Sequence, residues 1–285
     1  MTTPLFTVTS GRSGSYLIHK ILSLYPNVES HHEFCIEHTQ KLSVLHRAGV
    51  VSEDMAALQL RETHLAGVHY SQADIFAVSD NKLSYLIKPL QVILPDSRFI
   101  HLVRDGRRVV SSYYHKLKSE AMVNKWIVWL SMSLIGSRIC PYPPPIKAAY
   151  WPLPDPFREP QTYYDFIHTW NRWQRLCWYW QDCNRVIMRD LEGVPDKQRF
   201  TILPLEHLVN FKLDGFRDFP LFSLLAWLGL PWKDEAWELC QTPQNVSEPV
   251  SYPLTKEQEA QYWEICGGMH EQLGYGKEDY EVQYR

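Results

Sequence analysis

Leu5-Phe6-Thr7-Val8-Thr9-Ser10-Gly11-Arg12-Ser13-Gly14-Ser15-Tyr16-Leu17-Ile18-His19-Lys20-Ile21-Leu22 decides the fold class. Leu5 to Thr9 is apolar and β-branched, as a buried strand requires, and the small polar residues after it end that strand sharply. Leu17, Ile18, Ile21, Leu22 and Tyr25 then recur at helical spacing. Pro26 is expected to close the helix, because it lacks an N–H and disfavours a helical residue before it. Strand, tight turn and helix form the opening unit of an α/β fold.

The same grammar repeats downstream. A helix is expected over Ser84 to Leu94, a turn at Pro95-Asp96, a strand from Phe99 to Val103, then Arg104-Asp105-Gly106 and a helix from about Arg107. Two such strand-to-helix turns predict a parallel sheet with ligand sites at its carboxyl edge. Phe200 to Leu203 reads as a further strand and Leu221 to Leu230 as a helix ended by Gly229 and Pro231. Tyr163, Phe166, Trp170, Trp173, Cys177 and Trp180 alternate gaps of three and four, which predicts one helix packed on the sheet through its aromatic face. Thr255 with Gln258 makes a capping box for a last helix, which Gly267-Gly268 is expected to interrupt. Eight prolines between Pro141 and Pro160 predict a surface excursion or lid at about 138–160, inside a single domain spanning 1–285.

Composition narrows the function classes. With 285 residues, 45% hydrophobic and 21% charged, the chain is a folded globular protein. A net charge of −3 argues against a general nucleic-acid binder, so any anion site has to be built locally. The six cysteines, at 35, 140, 177, 183, 240 and 266, contain no C-x-x-C pair and no metal-ligand spacing, which predicts reduced thiols. The opening Met-Thr-Thr-Pro leaves no room for a signal peptide before the first strand, so a cytoplasmic location is expected. Ala121 to Gly136 is apolar, but Asn124 and Lys125 interrupt it and it is shorter than the roughly 20 residues of a membrane span.

Two motifs carry the chemistry. In Ser10-Gly11-Arg12-Ser13-Gly14-Ser15-Tyr16, small residues let backbone N–H groups and a helix N-terminus converge on an anion. Ser13 and Ser15 add hydroxyl donors and Arg12 adds charge; on this segment alone a plain Gly/Ser turn reads equally well. No Lys-Ser/Thr pair follows Gly14, so this is not the triphosphate loop G-x-x-x-x-G-K-[ST], and nothing would hold magnesium. A sulfuryl group carries less charge than a polyphosphate and can be transferred with Arg, Lys and amide donors alone. The second motif runs Arg104-Asp105-Gly106-Arg107-Arg108-Val109-Val110-Ser111-Ser112. Arg104 at a strand end and Ser112 in the following helix offer a charged fork and a hydroxyl to a second phosphate. Taken singly, Arg-Asp-Gly is a common turn and Arg107 and Arg108 read equally well as ordinary solvated charges, but two anion sites on neighbouring strand-helix turns are harder to dismiss.

At these two motifs the sequence resembles the sulfotransferases that use 3′-phosphoadenosine-5′-phosphosulfate (PAPS). That family shares a 5′-phosphosulfate loop, commonly Pro-Arg-Ser-Gly-Thr-Thr, and a 3′-phosphate motif with an Arg after a strand and a Ser eight positions on. Arg12, Ser13 and Gly14 match the loop, with Gly11 for the Pro and Ser15-Tyr16 for the Thr pair; Arg104 and Ser112 match the second motif. Looser resemblance covers residues 5 to about 118, Leu224 to Pro231 and the Leu-Gly-Tyr at 273–275. Within the family the chain resembles most the tyrosylprotein and carbohydrate sulfotransferase-like branch, which has a Glu about 21 positions after the loop Arg, where Glu33 stands. It also has a Lys ahead of the helix preceding the 3′-phosphate strand, matched by Asn81-Lys82. Members with a His base carry it two residues after this Lys, and here that position is Ser84.

The resemblance implies a P-loop-like three-layer α/β/α fold with a central parallel sheet. It implies PAPS as co-substrate, its product 3′-phosphoadenosine-5′-phosphate (PAP) and no required metal. Gly11 to Tyr16, Arg104 and Ser112 would bind the nucleotide, Arg12 and Lys82 would act as electrophiles, and Glu33 would be the general base, with His32 in reserve. The loop that closes over the nucleotide in this family corresponds to residues 244–256, where Ser247, Ser251, Tyr252, Thr255 and Lys256 are the candidates. The acceptor is a hydroxyl-bearing small molecule, lipid, sugar or peptide tyrosine. His31-His32-Glu33 with Glu37 and His38 lacks the H-E-x-x-H spacing of a zinc helix, so His31 and His32 are read as pocket or supporting residues. A nucleotide-dependent kinase with an atypical loop and a non-catalytic nucleotide-binding protein are the competing readings.

Overall fold

Leu5, Phe6, Thr7 and Val8 are all buried, so β1 (Thr3–Val8) is covered on both faces, as a central parallel strand must be. The computed structural model describes residues 2–116, 152–155, 157–209, 220–242 and 254–276. The chain divides into two compact units. One comprises Met1–Thr39, Glu53–Arg104 and Cys183–Val250; the other comprises Gln40–Ser52, Asp105–Asp182 and Ser251–Arg285.

The first unit holds the sheet. β2 (Val28–His32), β3 (Ile75–Ser79), β1, β4 (Arg98–Val103) and β5 (Phe200–Pro204) lie in the order β2-β3-β1-β4-β5, all parallel. The chain fills one side of β1 with β2 and β3 and then crosses to the other side for β4, so the strand order reverses at β1. Such a reversal opens a crevice at the carboxyl ends of the strands. Thr7 and His32 both pair with Ser79, which brings three strand ends to one level.

Each face of the sheet is sealed differently. Leu5, Ala77 and Ile100 share a core with Leu17, Ile18 and Ile21 of α1 (Ser15–Leu22) and with the helix Pro220–Leu228. Phe6, Phe76 and Phe99 point to the opposite face, where the Phe6 and Phe99 ring centroids are 5.8 Å apart and Phe34 meets Phe76 edge-on at 5.5 Å. His101 of β4 is fully buried, shares a 2.9 Å hydrogen bond with Asn184 Oδ1, and is held neutral by a pKa lowered to about 4. The expected α/β sheet flanked by helices is therefore the observed architecture.

In the second unit α2 (Gly106–Lys116) begins against a dense buried cluster. Arg107 is 0% exposed and forks onto Asp105 at 3.1 Å and 2.7 Å, so it is a buried counter-ion and the alternative of a solvated charge falls away. The same guanidinium donates to the Gly276 carbonyl at 3.3 Å. Tyr262 Oη bonds His270 Nδ1 at 2.7 Å, and Trp173 Nε1 donates to the Gln258 carbonyl at 2.8 Å.

Four boundary expectations are corrected. α1 stops at Leu22, where Ser23 Oγ donates to the His19 carbonyl, before Pro26 is reached. Residues Asn81–Tyr85 form a 3₁₀ turn capped by Asp80, and the helix expected from Ser84 starts at Ile87 (Ile87–Ile93). The aromatic stripe is not one helix: Trp170 is extended, and Asn171 and Gln174 cap each other reciprocally to open the helix Arg172–Glu192. The Thr255–Gln258 capping box is present, yet the helix runs unbroken over Lys256–Gln272 through Gly267-Gly268. Two glycines cost about 1 kcal/mol each in a helix, and buried Cys266, Met269 and His270 on either side hold it together. Most of the proline-rich 138–160 stretch and the apolar Ala121 to Gly136 segment lie outside the described residues.

Gly106 gives the packing test. A Cβ there would stand 2.2 Å from Tyr262 Oη and 2.7 Å from Trp180 Cε2, in a buried cluster with no room to yield. Gly106→Ala should therefore destabilise the fold by about 1–3 kcal/mol, read as a lower urea midpoint at unchanged slope; a wild-type midpoint would contradict this packing.

Candidate active site

β1 ends at Val8, and the chain must reverse into α1 by Ser15. It does so with left-handed backbone at Gly11 (φ 81°), Arg12 (φ 54°) and Gly14 (φ 92°). Left-handed residues interspersed in a tight turn direct N–H groups toward one concave side, an arrangement suited to anions. Gly14 is doubly constrained: its φ disfavours any side chain, and a Cβ would lie 2.7 Å from Leu205 Cδ1. Its carbonyl accepts from Leu17 N at 2.9 Å, which starts the helix and leaves the first N–H groups of α1 directed at the loop.

The side chains of this segment divide in role. Ser13 is fully buried and its Oγ donates to the Gly11 carbonyl at 2.9 Å, so it fixes the loop's shape. Ser15 Oγ sits 3.3 Å from His32 Nε2, and Tyr16 meets the His32 ring edge-on at 5.3 Å. Arg104, at the end of β4, donates from Nη1 to the Arg12 carbonyl at 2.8 Å, tying the second motif to the first within one unit. Ser112 lies buried in α2 of the other unit, so its pairing with Arg104 rests on sequence spacing alone.

Glu33 follows β2 directly, in a left-handed conformation (φ 58°), with its N–H donating to the Ser79 carbonyl at 3.2 Å. Its Oε1 forms a short ion pair with Lys82 Nζ. The two residues are 49 positions apart in sequence, and strand register brings them together: β2 and β3 end at the His32–Ser79 rung, and Glu33 and Asp80 are the next residues. Lys82 also stands 3.6 Å from Asp80 Oδ1, which accepts the Lys82 backbone N–H at 2.9 Å. Asp80 is fully buried, and that burial raises its pKa to about 6 against the opposing pull of Lys82. Sequence reading did not single out Asp80, although an Asp two residues ahead of the Lys is a cap signal.

The histidines fall into separate tasks. His32 is held below its ordinary pKa by burial and by the Lys82 charge, with Glu33 acting in the other direction. His31 Nε2 pairs with Glu29 Oε1 at 2.9 Å, and that carboxylate also accepts from Ser71 Oγ at 2.6 Å. Among the described residues no group of three or more His, Cys, Asp or Glu could hold a metal ion, and no helix is long and apolar enough to cross a membrane. Ser84 is structural: its Oγ accepts from Thr9 N at 3.1 Å and donates to Thr9 O at 2.8 Å, clamping the exit of β1. Of the residues expected to close over the nucleotide, Ser247, Ser251 and Tyr252 lie outside the described residues, while Thr255 and Lys256 open the last helix.

An anion-shaped loop and a Glu–Lys pair, all on one sheet edge, are what a group-transfer site of the expected kind needs. Residues 4–127, which carry the loop, Glu33, Lys82, Arg104 and Ser112, match the family model described as sulfotransferase family. Among solved structures the chain is similar to the sulfotransferase domain from the curacin biosynthetic pathway, with TM-score 0.51 and 14% identity over 97% of this chain and 99% of that one. It is also similar to sulfotransferase STF9 from Mycobacterium avium, with TM-score 0.50 and 13% identity over 100% of this chain and 79% of that one. At those identities the likeness is one of fold. No curated protein matches the chain in sequence. Residues 4–127 are thus similar to the sulfotransferase family, and the chain shares the fold of the solved sulfotransferases.

Proposed function

We propose that this protein moves a sulfuryl group from PAPS to the hydroxyl of an acceptor by in-line displacement. The family match supports sulfuryl transfer in general, and the observation that carries the finer reading is the Glu33–Lys82 pair beside the left-handed Arg12 loop. In this reading the backbone N–H groups of Gly11 to Ser15 and the Arg12 side chain hold the 5′-phosphosulfate. Arg104 and Ser112 hold the 3′-phosphate, the latter on the strength of its spacing.

The step balances without a metal. The acceptor oxygen forms a bond to sulfur as the bond from sulfur to the bridging phosphate oxygen breaks, and the acceptor proton passes to Glu33. Negative charge builds on the departing PAP phosphate, where Lys82 and Arg12 meet it. Cations aimed at charge that develops only in the transition state favour turnover over ground-state binding. Glu33 suits the base better than His32, because the His32 Nε2 lies against the Ser15 hydroxyl.

Incubation with radiolabelled PAPS and a panel of alcohols, phenols, sugars and tyrosyl peptides tests the activity. In that assay Glu33→Gln should lower turnover by roughly 10²–10⁴-fold while PAP affinity in calorimetry stays intact. Near-normal turnover in Glu33→Gln, with collapse in His32→Ala, would give the base to His32.

Arg104→Ala should weaken PAP binding by about 1.5–3 kcal/mol, the range for a lost hydrogen bond to a charged group. Unchanged PAP affinity by calorimetry would remove Arg104 from the nucleotide site.

A further inference from the structure

The reaction sketched above makes a demand that Glu33 and Lys82 cannot meet alone. Here the two are paired with each other, yet in the reaction Lys82 must serve the leaving phosphate and Glu33 must turn to the acceptor proton. An ammonium released by one carboxylate in a part-buried site needs another counter-charge, or it is left desolvated and mobile. Asp80 stands where that counter-charge is required. Its Oδ1 takes the Lys82 backbone N–H and lies 3.6 Å from Lys82 Nζ. Its Oδ2 is buried with no hydrogen-bond partner among the described residues.

A cap alone would not call for this residue. Capping a turn uses one oxygen, and Ser or Asn supplies it without burying a charge. The second oxygen of Asp80 is orphaned, and the hydroxyls of Thr7 and Ser79, paired in register on β1 and β3, are orphaned as well. A buried carboxylate with a vacant acceptor beside a lysine is costly for the fold and useful for holding the ammonium.

We propose that Asp80 is the positioning residue of Lys82, its buried carboxylate retaining the ammonium at the sheet edge when Glu33 releases it to accept a proton. The proposal rests on the reading of Glu33 as base and of Lys82 as electrophile. Asp80 does not touch substrate; it acts through Lys82. Among the described residues two charged groups bear on it, Lys82 on its own turn and Glu33 after β2.

Burial supplies a signature that a purely structural residue would not have. Asp80 is raised from 3.8 to about 6 in the fold, so between those values the folded protein binds a proton that the unfolded chain does not. Ionised Asp80 therefore lowers stability at neutral pH, and the penalty fades as pH falls through about 6.

Asp80→Asn keeps the cap oxygen and removes the charge. At pH 7.5 its Tm should equal or exceed that of the wild type, the gain vanishing toward pH 3.8 as the wild-type Asp80 becomes neutral too. PAP affinity and the KM for PAPS should stay within about threefold, while kcat falls roughly 10–100-fold, the scale of a displaced catalytic group. Acetylation of Lys82 by acetic anhydride, followed by peptide mass spectrometry and compared between Glu33→Gln and Glu33→Gln/Asp80→Asn, should quicken by about threefold or more in the double variant, since an ammonium that has lost both carboxylates is no longer held at the sheet edge. Asp80→Ser, an uncharged cap, should behave alike. Wild-type kcat in Asp80→Asn overturns the proposal, and so does loss of kcat together with Tm and PAP binding in both variants, which makes Asp80 a structural cap. If the wild type transfers no label from PAPS, the reading of the donor fails by itself. Lys82 acetylation then still decides on Asp80, an unchanged rate overturning it.

Discussion

Three parallel strands ending on one rung constrain everything that follows in this site. Because Thr7 and His32 both pair with Ser79, the next residues of each strand emerge side by side. β1 continues into the left-handed loop, β2 into Glu33 and β3 into Asp80 and Lys82. No long side chain has to reach across the molecule. The clamp of Ser84 on both backbone groups of Thr9 holds the loop at the height the other two ends dictate. A slip of one residue in the β2–β3 register would move Glu33 to the other face and separate it from Lys82.

The same edge is where the fold departs from its own preferences. Arg12, Glu33 and Cys35 are the non-glycine residues with positive φ among those described, and such conformations cost on the order of 1–3 kcal/mol each when held by their surroundings. Buried Asp80 adds an unfavourable charge at neutral pH. Continuous apolar packing offsets this on one face of the sheet, with tilted and edge-on ring contacts and the His101–Asn184 bond on the other. Strain and buried charge gathered within a few residues of the strand ends are the pattern expected where geometry is held for chemistry.

Much of this was legible in the chain itself. The alternation of apolar strand, Gly/Ser turn and helical spacing at 5–22 gives the α/β class, while the family resemblance, and not local pattern, picks out Glu33 and Lys82. Other features were hidden for physical reasons. Ser84 and Thr9 are 75 positions apart, and nothing local says that a serine will grip a strand end. Arg107 looks solvated because its partner Asp105 is a neighbour that could equally face water. The Asn171–Gln174 reciprocal cap obeys the same rule as Thr255–Gln258, but the aromatic spacing running through Trp170 masked it. Gly267-Gly268 misled in the opposite direction, since tertiary packing overrides a local penalty of this size.

The central claim is that the loop and its neighbours are built for the 3′-phosphorylated donor nucleotide and not for a nucleoside triphosphate. Thermal unfolding in saturating PAP, ATP with magnesium, and GTP with magnesium tests it most directly. Ligand at about 100 times its Kd stabilises a fold by about 2.7 kcal/mol, a shift well within reach of the measurement. The account predicts a rise in Tm with PAP and none with either triphosphate; stabilisation by ATP or GTP with no response to PAP would contradict it.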